Sequence, residues 1–184
     1  MKRIETALPD VFVIEPQVFR DERGFFFESY QERKFAELGI HDRFVQDNHA
    51  RSIKGTLRGL HYQVERPQAK LCRVIQGEVL DVVVDIRPGS PHFRRYASAV
   101  LSAENMRQVY IPAGFAHGYL VLSETAEFLY KCSDFYHPEC ERGILWSDAE
   151  INIDWGIQGP ILSAKDMSNP PLSKIRLSEL PDYA

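Results

Sequence analysis

The sequence predicts an all-β fold, a barrel or sandwich of antiparallel strands, on three observations. Short apolar runs bounded by turn residues recur through the middle of the chain, the spacing of an all-β domain rather than of alternating strand and helix. The stretch Leu80-Asp81-Val82-Val83-Val84-Asp85-Ile86 alternates with the period of two that a strand imposes on its side chains. Helical patterning is confined to two short places.

In chain order, the expected strands are Val11–Glu15, Phe25–Tyr30, Val45–Arg51, Thr56–Gln63, Lys70–Gln76, Glu78–Ile86, Tyr96–Leu101, Arg107–Ile111, Gly118–Leu122 and Glu127–Asp134, with a further candidate at Gly143–Ser147. Short links between them favour antiparallel pairing. Within Leu80–Ile86, Leu80, Val82, Val84 and Ile86 form the face expected in the core, and Asp81, Val83 and Asp85 the other. Arg87–Pro91 and Pro112–Gly114 carry the Pro and Gly chemistry of rim loops. The helices are expected at Gln31–Leu38, stopped by Gly39, and at Ser173–Leu180, stopped by Pro181. No repeat, low-complexity tract or linker interrupts the chain, so residues 1–184 are expected to form one domain, which at this size buries roughly 70% of its unfolded surface.

A formal net charge of −4, with both signs interspersed, gives no broad cationic face for nucleic acid. A small anionic ligand held by a few converging Arg and Lys side chains remains compatible with it. Three cysteines without CxxC spacing indicate neither a disulfide framework nor a four-cysteine zinc site. The start, Met1-Lys2-Arg3-Ile4-Glu5-Thr6, lacks a signal-peptide apolar run, and no segment approaches the roughly 20 apolar residues of a membrane span. The expectation is a soluble cytoplasmic protein with no membrane partner.

Polar residues concentrate on two expected strands, at Gln46-Asp47-Asn48 and Arg58-Gly59-Leu60-His61-Tyr62-Gln63. Two readings stand: a solvated outer face, or a pocket. Arg58 and His61 are three apart, so regular pleating would point them to opposite faces, whereas a bulge at Gly59 would bring both inward. In Phe128-Leu129-Tyr130-Lys131-Cys132, Tyr130 shares a face with Phe128 and Cys132 and reads first as a packed aromatic. His117, after the Pro112–Gly114 turn, also reads first as structural. A metal-binding barrel would need a His-x-His pair, but His61 is followed by Tyr62 and Gln63, and His61 with His117 alone supplies too few ligands. No metal is expected.

These residues resemble the dTDP-4-dehydrorhamnose 3,5-epimerases of the cupin (jelly-roll) superfamily nearly end to end. The matching stretches are Arg20-Asp21-Glu22-Arg23-Gly24-Phe25-Phe26, Gln46-Asp47-Asn48-His49, Gly55–Gln63, Pro112–Gly118, Glu139-Cys140-Glu141-Arg142-Gly143 and Leu162-Ser163-Ala164-Lys165-Asp166. The resemblance implies a jelly-roll barrel with short peripheral helices, and a nucleotide sugar, dTDP-4-dehydro-6-deoxyglucose, whose C3 and C5 hydrogens are acidified by the C4 ketone. Both centres would be inverted without a cofactor, which needs a base on one face of the carbanion and an acid on the other.

By resemblance, His61 is the base, held by Asp166, and Tyr130 is the opposing acid. An imidazole, with an ordinary pKa of about 6.5, suits that work near neutrality. Lys70 would stabilise the enolate at the C4 oxygen. The other substrate-touching positions implied are Arg23, Glu28, Gln46, Asn48, Arg58, His117, Glu141 and Lys165, with Tyr136 stacking on thymine. The resemblance also implies a homodimer, across whose interface Arg23 or Glu28 would act. Three other readings stay open: a single-centre epimerase on a related nucleotide sugar, a cupin that only binds one, and a metal-dependent cupin.

Overall fold

The computed structural model describes residues 1–183. Eight strands carry the barrel: β5 (Gln46–Ile53), β6 (Leu57–Gln63), β7 (Lys70–Gln76), β8 (Glu78–Asp85), β9 (Tyr96–Ser102), β10 (Gln108–Ile111), β11 (Phe115–Val121) and β12 (Thr125–Cys132). Numbered one to eight, they lie as 1-8-3-6 in one sheet and 2-7-4-5 in the other. That interleaving of two four-strand Greek keys is a jelly roll. The first sheet is extended beyond β10 by β2 (Phe12–Glu15) and β1 (Lys2–Glu5), the second beyond β6 by β13 (Glu141–Gly143).

Both faces of β8 are buried, and this corrects the one-sided reading of Leu80–Ile86. Val83 enters the core between the sheets, with Cys72, Val74, Phe115, Tyr119 and Phe128. Val82, Val84 and Ile86 face outward and are covered by the segment from Ile144 to Leu180. Asp81 and Asp85 are 1% and 0% exposed, so the supposed polar face is interior. Ile144, Ile151 and Leu172 are buried in that outer layer, each worth about 1.5–3 kcal/mol of burial. Asp148 fastens it: its Oδ1 accepts from the N–H of Glu150 and Ile151, and its Oδ2 from that of Leu172 at 2.7 Å.

Helix α1 (Glu32–Glu37) is capped by the Gln31 side chain and buries Phe35 against Phe12, Ile14 and Leu71 on the outer face of the larger sheet. The helix expected at Ser173–Leu180 is replaced by two 3-10 turns, Leu172–Lys174 and Leu177–Glu179, because Ile175 and Arg176 are extended between them. The second α-helix, α2, is Ala164–Met167, capped by Ser163. The strand expected at Phe25–Tyr30 shrinks to β4 (Gly24–Phe26), which pairs only with β3 (Phe19–Asp21) as a separate hairpin. The strand expected at Gly143–Ser147 is displaced to β13. Lys70–Gln76 is observed with the bounds expected of it.

Candidate active site

A cleft of about 580 Å³ opens between the two sheets. β6 and β11 bring His61 and His117 to it from one sheet; β5, β7 and β12 bring Gln46, Asn48, Lys70 and Tyr130 from the other. The outer segment closes the rim with Lys165 and Asp166, where Lys165 meets Glu141 and, through it, Tyr136. Imidazole and phenol thus approach from opposite sheets, as a base and an acid must when a ring carbon is inverted between them.

The predicted bulge is present. His117 pairs with His61 and Tyr119 with Arg58, so Gly59 and Leu60 stand against the single residue Gly118. Gly59 takes a φ of +127°, and a Cβ there would lie 2.5 Å from the Gly118 Cα. Only glycine permits that approach. The extra residue turns Arg58 and His61 into one cleft, and Arg58 Nε donates to Ser52 Oγ at 3.1 Å.

Asp166, 3% exposed, places Oδ1 2.5 Å from His61 Nε2. Burial alone would raise its pKa, but the His61 ring, the Ser163 hydroxyl and the Gly59 N–H hold it below the usual carboxylate value. The carboxylate is therefore the acceptor, Nε2 carries the proton, and Nδ1 is the free basic position. Burial raises the Tyr130 hydroxyl well above its usual value, with nearby thiols adding to the effect, so it stays protonated.

At the rim, Tyr136 Oη donates to Glu141 Oε2 at 2.7 Å, and Lys165 pairs with the same oxygen. That bond to Glu141, with burial adding to it, pushes the Tyr136 hydroxyl up to about 12. Burial would raise Glu141, but Lys165, Tyr136 and the nearby His61 outweigh it and lower its pKa. Gln46 Oε1 accepts from the Tyr136 N–H at 2.9 Å, fixing the aromatic ring's backbone to β5.

Eleven of the thirteen sequence-predicted residues line this cleft: Gln46, Asn48, Arg58, His61, Lys70, His117, Tyr130, Tyr136, Glu141, Lys165 and Asp166. Arg23 and Glu28 do not. Arg23 sits at the turn of the β3–β4 hairpin, bound to Asp21 with its side chain 86% exposed, and Glu28 pairs with Lys34 of α1. Sequence reasoning missed Asp81, whose Oδ2 lies 2.9 Å from His117 Nε2; the period-two pattern had put it outside. It also missed Ser163, although the Ser-x-x-Asp spacing before Asp166 is the signature of a helix cap.

Cys72, Asp81 and His117 form a buried group whose potential ligand atoms lie within 4.8 Å of one another, beneath the cleft. His117 Nε2 is already bonded to Asp81, and burial raises the Cys72 thiol well above its usual value, which keeps it neutral. His61 stands outside this group, with its Nε2 on Asp166.

The family profile described as dTDP-4-dehydrorhamnose 3,5-epimerase matches residues 5–174. A relative of that name from Pseudomonas aeruginosa is 59% identical over 168 residues, 90% of this chain and 93% of its own length. The Legionella pneumophila epimerase solved with dTDP-4-keto-L-rhamnose superposes with a TM-score of 0.97 at 51% identity, covering 100% of this chain and 98% of that one. A 3'-monoepimerase from Streptomyces bikiniensis, solved with dTDP-quinovose, superposes at 0.91 with 35% identity, over 96% and 91% of the two chains. A jelly roll with this cleft and these likenesses makes the chain a member of the dTDP-4-dehydrorhamnose 3,5-epimerase family, a carbohydrate epimerase of the isomerase class.

Proposed function

We propose that the chain inverts C3 and C5 of dTDP-4-dehydro-6-deoxyglucose by proton transfer in the cleft between the sheets, giving dTDP-4-dehydro-L-rhamnose. The observation that carries the reading is the placement of His61, with Nε2 tied to Asp166, on one sheet and of the protonated Tyr130 on the other. His61 Nδ1 removes the proton next to the ketone, Asp166 supports the imidazolium that forms, and Tyr130 returns a proton from the opposite side. Such general acid-base help is worth roughly 10²- to 10⁴-fold. Lys70 offers a positive charge to the C4 oxygen as the enolate develops. The reaction is proton traffic alone and calls for no redox cofactor.

Arg58 and Lys165 suit the diphosphate, Tyr136 offers a ring to the thymine, and Gln46 and Asn48 supply amides for polar edges. His117 and Glu141 complete the wall around the sugar. A homodimer fits the remaining pieces. Phe19, Phe25 and Phe26 are 57%, 58% and 66% exposed on the hairpin that carries Arg23, and β5 has an unpaired edge. Burying that hairpin against a second copy would cover apolar surface and present Arg23, with Glu28 nearby, to the partner's cleft. The three unpaired, buried cysteines agree with a reducing, cytoplasmic setting.

Turnover in deuterated water, with a downstream reductase to trap L-sugar, tests the reading. Label at both C3 and C5 is expected. Label at one carbon only would assign the chain to the monoepimerase chemistry of the Streptomyces bikiniensis relative. No label at either, with dTDP still bound, would leave a binding protein.

A further inference from the structure

We infer that Ser163 is a positioning residue for the epimerisation, acting on His61 through Asp166. The inference rests on the reading of His61 and Asp166 as the base and its support. Asp166 belongs to the four-residue helix α2, too short to hold its own shape through internal hydrogen bonds. Its orientation has to come from outside the helix. Ser163 supplies part of it: extended at φ −70° and ψ 157°, it caps α2 by accepting the Asp166 N–H on Oγ at 3.0 Å. The Ser163 hydroxyl is also among the groups that hold the Asp166 carboxyl below its usual pKa, after the larger effect of the His61 ring. One side chain therefore fixes the backbone of the residue whose carboxylate meets His61.

Ser163 is itself held by backbone pairing. Two residues earlier, Ile161 makes a parallel bridge with Thr56, its N–H donating to Gly55 O at 2.8 Å while its carbonyl accepts from the Leu57 N–H at 3.0 Å. That clip fastens the start of the α2 segment to the start of β6, the strand that carries His61 and, at Gly59, the bulge. The base and its carboxylate are 105 residues apart in sequence, yet both are referred to one strand through a path that ends in Ser163. Ser163 also lines the cleft, and a shift in the Asp166 it caps is felt directly by the imidazole bonded to that carboxylate.

The test is a double-mutant cycle in single-turnover and steady-state assays with dTDP-4-dehydro-6-deoxyglucose. Ser163→Ala should lower kcat about tenfold with KM within about twofold, the cost of a small misplacement of a catalytic group. Ser163→Gly keeps most of the capping preference but lacks the hydroxyl, and should lose as much; Ser163→Thr should recover most of the rate. Added to Asp166→Asn, Ser163→Ala should change kcat by less than about twofold, because a residue acting through Asp166 has nothing left to position. An unchanged kcat in Ser163→Ala and Ser163→Gly, or a loss that adds in full to that of Asp166→Asn, overturns the inference. Full turnover in His61→Ala would instead overturn the assignment of the base on which it rests.

Discussion

His61 and His117 are direct partners across the β6–β11 ladder, and each presents its Nε2 to a buried carboxylate, Asp166 for one and Asp81 for the other. The first carboxylate arrives from the outer segment and the second from β8 within the barrel, so two similar pairs rest on independent parts of the fold.

Asp81→Asn tests the inner pair. The asparagine can donate to His117 Nε2 where the carboxylate accepted from it, which reverses the ring tautomer shown to the cleft. We expect kcat/KM to fall by about 10- to 100-fold, with the reversed tautomer visible in the nitrogen shifts of the His117 ring. An unaltered rate with a reversed tautomer would show that the His117 ring nitrogen facing the cleft does not contribute to holding the sugar.

Gly59→Ala places a methyl 2.5 Å from the Gly118 Cα at a φ of +127°. β6 then has to give up either its bulge or its pairing with β11, at a cost of about 3 kcal/mol or more. The midpoint of urea unfolding should fall accordingly, and residual folded protein should turn over poorly because Arg58 and His61 no longer share a cleft. A wild-type midpoint would show that the bulge is not imposed by this contact.

Tyr130 supplies a pH test. Its hydroxyl is held above the ordinary phenol value by burial, so the unfolded chain releases this proton near pH 10 while the folded chain retains it. Stability is therefore lost as pH rises above 10, and Tyr130→Phe should remove that part of the loss. The tyrosinate absorbance difference between the two proteins should show no component below about pH 10. A component near pH 9 would contradict a phenol kept protonated by its surroundings.

Asp148→Ala strips three backbone N–H groups of their acceptor. We expect about 3 kcal/mol of lost stability and a fall in kcat, since the segment it fastens carries Lys165 and Asp166. Thermal unfolding and activity on one preparation check both; a stability loss without any loss of rate would separate the fastening from the site.

Sequence pattern located the barrel strands best where a short apolar run ends at a turn residue, as at Lys70–Gln76 before Gly77. It failed where the environment is not that of a two-sided sheet. Lys2–Glu5 is exposed at every position, so no alternation marks it. Asp81 looked like a surface residue because period two separates faces without saying which is interior, and here both are. The bulge was legible because Arg58 and His61 could share a pocket only if Gly59 broke the pleat. Pattern left His61 open between a wet surface and a pocket; resemblance, then geometry, gave it a partner. Arg23 and Glu28 came from resemblance alone, and a single chain leaves them outside its own cleft.

The layer from Ile144 to Leu180 has one more implication. It covers the outer face of the smaller sheet and also delivers Asp166, so the His61 pair cannot exist until that layer has docked. A chain emerging amino terminus first could close its barrel strands while still unable to take a proton from a sugar. Closure of the barrel and catalytic competence are therefore separate events, and turnover reports the docking of the outer layer rather than the formation of the strands.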